Sequence, residues 1–126
     1  MTPSAPLTEP PAFGRASPRL RIARLAAEAA LAVAGVAGLE AGPLGRQVTS
    51  GGGERVAGVV VGALRDGRYE VHLHVACELV PLPALAERIR ATVLAATASA
   101  GLADVSGPVH VHIERIADPP VEDRRA

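Results

Sequence analysis

Lysine, asparagine and tryptophan are missing from this chain of 126 residues, and its aromatic rings are limited to one Phe and one Tyr. Each absence removes a class of chemistry. Without a lysine amine there is no Schiff-base enzyme and no Walker loop, whose lysine sits on the terminal phosphates, so Gly51, Gly52 and Gly53 are not a phosphate cradle. Phe13 and Tyr69 do not build the stacking platform on which single-stranded nucleic acids are held. The lone cysteine, Cys77, closes no intrachain disulfide and supplies no cysteine-based zinc site, a usage that fits a reducing compartment. Net charge is absent too. The 13 basic residues, all arginine, balance 13 carboxylates, which argues against the electrostatic footprint of a nucleic-acid or anionic-membrane binder.

What remains is enough apolar content for one small core, 48% of residues, distributed in short periodic segments. Residues 1–16 carry Pro3, Pro6, Pro10 and Pro11 with no period that could bury a face and read as a disordered leader. A single α+β domain is expected over 17–116, followed by a disordered tail over 117–126. The apolar run from Leu25 to Leu39 is interrupted by Glu28. At about fifteen residues it falls short of the roughly twenty that span a bilayer, and it also lacks the layout of a signal peptide. An amphipathic helix accounts for it better. Ser17 can cap, Pro18 suits the first helical position, Ile22, Leu25, Ala29, Ala32, Val33 and Val36 recur at helical spacing, and Gly35 and Gly38 end or loosen the helix.

Downstream, Gly45 to Thr49 is a candidate minor strand, and Val56 to Leu64 is a β-branched strand that turns at Arg65, Asp66 and Gly67 into a second strand, Tyr69 to Leu79. There Val71, Leu73, Val75 and Cys77 point one way, and Glu70, His72, His74, Ala76 and Glu78 the other. Pro83 opens a second helix to about Ala100, with Leu85, Ile89, Val93, Ala96 and Ala100 as its apolar stripe. In a last strand Val109, Val111 and Ile113 alternate with His110, His112 and Glu114. The expected order is helix, strand, strand, helix, strand. The β-α-β unit at its end sets the last strand parallel to Tyr69–Leu79, in a small mixed sheet of three to four strands covered on one side by two helices.

The four histidines are the candidates for chemistry. His72 and His74 share a face of one strand, His110 and His112 share a face of the other, and both faces oppose the apolar set. If the strands are neighbours at ~4.8 Å, all four imidazoles occupy one patch bordered by Glu70, Glu78 and Glu114. The sharp reading is a zinc site, since imidazole is the commonest zinc ligand and a carboxylate beside it completes a tetrahedral set. The bland reading is an exposed strand face that tolerates histidine, because an open sheet encloses no cavity and neither His-x-His-x-Asp-His nor His-Glu-x-x-His is present. Between them stands a proton-sensitive surface: crowded imidazoles repel one another when charged, so an interface made by this face strengthens as pH rises. Cys77 alternates with the core set and reads as a buried hydrophobe. Gly42, Pro43, Leu44 and Gly45 have the spacing of the KH-domain clamp but do not join two helices, and no Ser lies in a nucleophile-elbow context.

Several features occur in a specific order. An Ala-rich helix runs into Val33, Ala34, Gly35, Val36. An alternating strand follows, Tyr69, Glu70, Val71, His72, Leu73, His74, Val75. A Pro-Leu-Pro entry leads into the second helix over 81–90, and a His-Val-His-Ile-Glu strand closes the series over 110–116. In this order the chain, from about Leu20 to Ile116, resembles the alkaline shock protein family, the Gls-type envelope stress response proteins, and especially the short members from high-GC bacteria. Two departures stand out: Ala34 replaces a proline common in the first turn, and Glu78, Leu79 stand where many members have Tyr-Gly.

The resemblance implies a noncatalytic cytoplasmic protein that self-assembles or is held near the membrane by a partner anchor, and it carries over no catalytic residues. The leading expectation is therefore an interaction or scaffold module acting through Glu70, His72, His74, Glu78, His110, His112 and Glu114. It has protein partners, no nucleic acid, no membrane span of its own and no cofactor. The second is a small metal-binding module, with zinc on His72, His74, His110 and His112.

Overall fold

The computed structural model describes residues 17–117. The expected leader, and the tail beyond Ala117, lie outside the described residues. Helix α1 (Pro18–Leu31) starts as the sequence predicts: Ser17 Oγ accepts a hydrogen bond from the Leu20 N–H at 3.2 Å, and Pro18 opens the first turn. It stops sooner than the apolar pattern implies. Gly35 adopts φ +101, where a side chain is strained, and the reversed chain enters strand β1 (Val36–Leu39), so Val36 belongs to the sheet and not to the helix. The buried stripe of α1 is Leu20, Ile22, Ala23, Ala26, Ala29 and Ala30, whose four alanines let the helix lie close to its neighbours, while Leu25 is only partly buried.

Two short strands follow, β2 (Val48–Gly51) and β3 (Glu54–Ala57), paired antiparallel in a separate two-stranded sheet. The strand expected over Val56–Leu64 is broken at Gly58, after which β4 (Val59–Ala63) begins. The break has a steric cause. Gly58 has φ +82, and a Cβ there would lie 2.6 Å from Leu39 Cβ and 2.9 Å from the Glu40 nitrogen. Thr49 joins the two sheets: its buried hydroxyl donates to the Val59 carbonyl at 2.8 Å and accepts from the Val61 N–H at 3.1 Å.

The turn after β4 leads into β5 (Tyr69–Cys77), which ends two residues before the predicted Leu79. Helix α2 (Leu82–Ser99) and a short 3-10 turn (Ala103–Val105) connect β5 to β6 (Ser106–Ile116). β5 is the centre of the four-stranded sheet. β6 runs parallel along one edge, while β4 and β1, both antiparallel, share the other edge end to end. His74 marks the junction on that edge, since its N–H donates to the Gly58 carbonyl and its carbonyl accepts from the Glu40 N–H, each at 2.8 Å.

The architecture is α+β, as predicted, with two helices against a mixed sheet. α1 packs on β1, β4 and β5, and α2 packs on β6 and on α1. Ile22, Leu73, Leu85, Ile89, Val59, Val75 and Val93 are completely enclosed between these layers. Each such side chain contributes roughly 1.5–3 kcal/mol on leaving water. Thr97 is buried in the stripe of α2, whereas the predicted Ala96 and Ala100 only flank the core. β1 is an addition to the expected element order, while β2 overlaps the candidate minor strand Gly45–Thr49 at its end and β3 takes up the start of the strand expected from Val56.

Candidate functional site

Hydrogen bonding on both edges holds the β5 backbone rigid. Val71, Leu73, Val75 and Cys77 point into the core, so Glu70, His72 and His74 are committed to the opposite face. β6 lies beside it in a register that opposes His72 to His110 and His74 to His112. All four imidazoles therefore meet in one patch, as the alternation predicts.

The rings form a zigzag stack. His110 and His72 have centroids 4.5 Å apart, His72 and His112 5.2 Å, and His112 and His74 4.6 Å, with interplanar angles of 20°, 19° and 8°. A carboxylate closes each end. Glu70 places Oε1 3.3 Å from His110 Nε2 and Oε2 3.6 Å from His72 Nε2. Glu114 places Oε2 2.8 Å from His74 Nδ1. In the middle, His72 Nδ1 and His112 Nε2 are 2.9 Å apart, a distance that requires one nitrogen to donate and the other to accept. Exposure along the stack is uneven: the His74 side chain is 11% exposed and that of His110 44%, while His112, next to His74, is exposed.

The polar face is less open than the alternation implies, since His74 and Ala76 are both buried. Part of the reason is a register shift between Val75 and Ala76, which opposes Arg115 to Ala76. The Arg115 guanidinium holds Glu40, at the far edge of β5, at 3.0 Å, so an ion pair spans the sheet at Ala76. Sequence reasoning missed both partners. Their 75-residue separation leaves no local pattern, although two charged residues in succession, Glu114 and Arg115, are a weak sign of a bulge.

His112 is held below the ordinary imidazole value of 6.5. Partial desolvation by the groups packed around the ring is the main cause although the residue is exposed at its outer side, the neighbouring His74 and His72 add to it, and Glu114 opposes it.

Of the expected face, Glu70, His72, His74, His110, His112 and Glu114 come together. Glu78 does not border the patch. It follows the end of β5, is exposed, and its N–H donates to the Gly35 carbonyl at 2.8 Å. Glu70, His72 and His110 each offer a ligand atom, and these atoms lie within 4.8 Å of one another, whereas the full set of four histidines does not form such a group among the described residues. Cys77 is fully buried on the opposite side of the sheet. Gly42 and Gly45 close a tight turn leading towards β2 and join no helices.

No helix among the described residues is long and apolar enough to cross a membrane. Comparisons of the chain with models of protein families, with curated proteins and with solved structures give no match.

Proposed function

We propose that this protein is a noncatalytic interaction module of the envelope, or alkaline, stress type, which docks a protein partner on the histidine-lined face of β5 and β6. The observation that carries the reading is the gathering of His72, His74, His110 and His112, with Glu70 and Glu114, on one face of the two longest strands, turned away from the helices. Rigid paired strands present these groups in a fixed pattern, which is what a recognition surface requires. Cys77, the strongest nucleophile in the chain, is sealed in the core away from the imidazoles, which supports a role without catalysis. The ordered likeness to the alkaline shock protein family supplies the kind of partner: a membrane anchor that holds a cytoplasmic module at the envelope, or further copies of the module itself.

The test is crosslinking and pull-down from envelope-stressed cells, comparing the wild type with a variant carrying glutamine at residues 72, 74, 110 and 112. Recovery of an integral membrane protein by the wild type, with its loss in the variant, is the expected result. Equal recovery by both, or recovery of no membrane protein and no second copy by either, overturns the proposal.

A further inference from the structure

We propose that the Glu70 end of the imidazole stack is a binding site for a divalent first-row transition ion, zinc above all. Its ligands are His72 Nε2, His110 Nε2 and a Glu70 carboxylate oxygen, and His112 positions His72 from behind.

The donor spacing carries the argument. Ligand atoms about 2.0–2.1 Å from a tetrahedral zinc lie roughly 3.3 Å from one another. Glu70 Oε1 is already 3.3 Å from His110 Nε2, and Oε2 is 3.6 Å from His72 Nε2. The three residues are placed by backbone, not by flexible chain. Glu70 and His72 are two apart on β5, and His110 is the register partner of His72 on β6. Binding requires the His72 and His110 rings, stacked at an interplanar angle of 20°, to turn out of that stack so that both Nε2 lone pairs point at the ion; the ligand atoms already lie within 4.8 Å of one another. Two imidazole nitrogens and one carboxylate favour zinc, copper or nickel over magnesium or calcium, which take oxygen ligands. Because the side chains of Glu70, His72 and His110 are all partly exposed, the fourth position opens to water or to an incoming group.

The second observation concerns the far nitrogen of His72. A ligating histidine almost always gives its other N–H to an acceptor, which fixes the ring and raises its basicity. With the ion on Nε2, the proton of His72 sits on Nδ1, and His112 Nε2 waits 2.9 Å away to accept it. The other end of the stack is unsuited to the ion. His74 Nδ1 is engaged by Glu114 at 2.8 Å, and its ring is the most enclosed of the four. The four histidines thus divide into two ligands, one positioning residue and one buried anchor.

The experiment uses the full chain, stripped with a chelator and titrated with zinc by calorimetry and with cobalt by visible absorption. One ion per chain is expected, with a four-coordinate cobalt spectrum. H72Q and H110Q are expected to lose saturable binding. H112A should weaken it by about 10–100-fold, the usual effect of removing an outer-shell partner. H74Q should keep near wild-type affinity. Melting curves of the stripped variants check folding, and a readout on the wild type needs no variant at all. In the zinc form, long-range proton–nitrogen spectra should place the His72 proton on Nδ1 and shift the His72 and His110 rings ahead of His74. The proposal is overturned if the wild type binds no zinc saturably, if binding survives H72Q and H110Q, or if H74Q is as damaging as H110Q. A His72 proton on Nε2 in the zinc form also overturns it, because that nitrogen would then have no lone pair for the ion, and unchanged affinity in H112A removes the positioning role.

Discussion

Nδ1 of His72 lies 2.9 Å from Nε2 of His112, so a single shared proton joins two imidazoles that are 40 residues apart in the chain. Both rings cannot be doubly protonated while this bond stands, since each nitrogen would then carry a hydrogen. The middle of the stack is therefore its acid-sensitive point.

His112 makes this measurable. Its folded-state affinity for protons is depressed by partial desolvation first and by His74 and His72 next, below the value of 6.5 that it regains on unfolding. Between the two values the unfolded chain binds more protons than the folded one, so stability falls as pH drops through 6.5 towards the folded value, and the contribution is fully present above 6.5. The melting temperature of the metal-free wild type should decline more between about pH 7.5 and pH 5.5 than that of H112Q. Parallel declines would show that the His112 ring is not the group responsible.

Gly58→Ala should destabilise the fold by roughly 3 kcal/mol or more, combining a left-handed backbone with a clash that the Leu39 and Glu40 backbone cannot relieve. Gly62→Ala, in the same strand region with open space around its Cα, should stay within about 0.5 kcal/mol of the wild type. Urea denaturation of the pair tests the steric account, and similar midpoints would reject it.

Thr49→Val keeps the shape of the side chain but orphans the Val59 carbonyl and the Val61 N–H, both bonded to the buried hydroxyl. At about 1–3 kcal/mol for each of the two unsatisfied buried groups, a loss of roughly 2–6 kcal/mol is expected, and Thr49→Ser should recover much of it. If the valine variant melts with the wild type, Thr49 is not what ties the β2–β3 sheet to β4.

Leu73→Ala removes a side chain with no solvent exposure from the centre of the sheet and should cost about 2–5 kcal/mol by equilibrium unfolding. Under native conditions Cys77, likewise fully enclosed, should resist alkylation and become reactive only in denaturant. Rapid native labelling at Cys77 would contradict the packing described for the end of β5.

The elements with strong periods were legible in the sequence: the start of α1 at Ser17 and Pro18, the alternation of β5 and β6, and the stripe of α2 from Leu85 to Val93. Strand β1 was not, and β2 and β3 were legible only in part, as the end of the candidate Gly45–Thr49 and the start of the run from Val56, because four-residue segments beside glycines carry too little alternation to fix their bounds. Val36 shows the difficulty. Its spacing from Val33 continues a helical stripe, but a turn at Gly35 with positive φ sends it into the sheet.

Alternation by itself determined that the four histidines lie opposite the apolar residues of their strands, since successive side chains of a strand must point to opposite faces. Which imidazole meets which was decided by the tertiary structure alone. The pairing of His72 with His110, the proton between His72 and His112 and the carboxylate at each end follow from the parallel register of β5 and β6, and Glu78 is excluded because β5 ends at Cys77. That register is set by the packing of Val71, Leu73 and Val109 against the helices, a long-range contact that no local pattern encodes and that a one-residue slip would turn inside out.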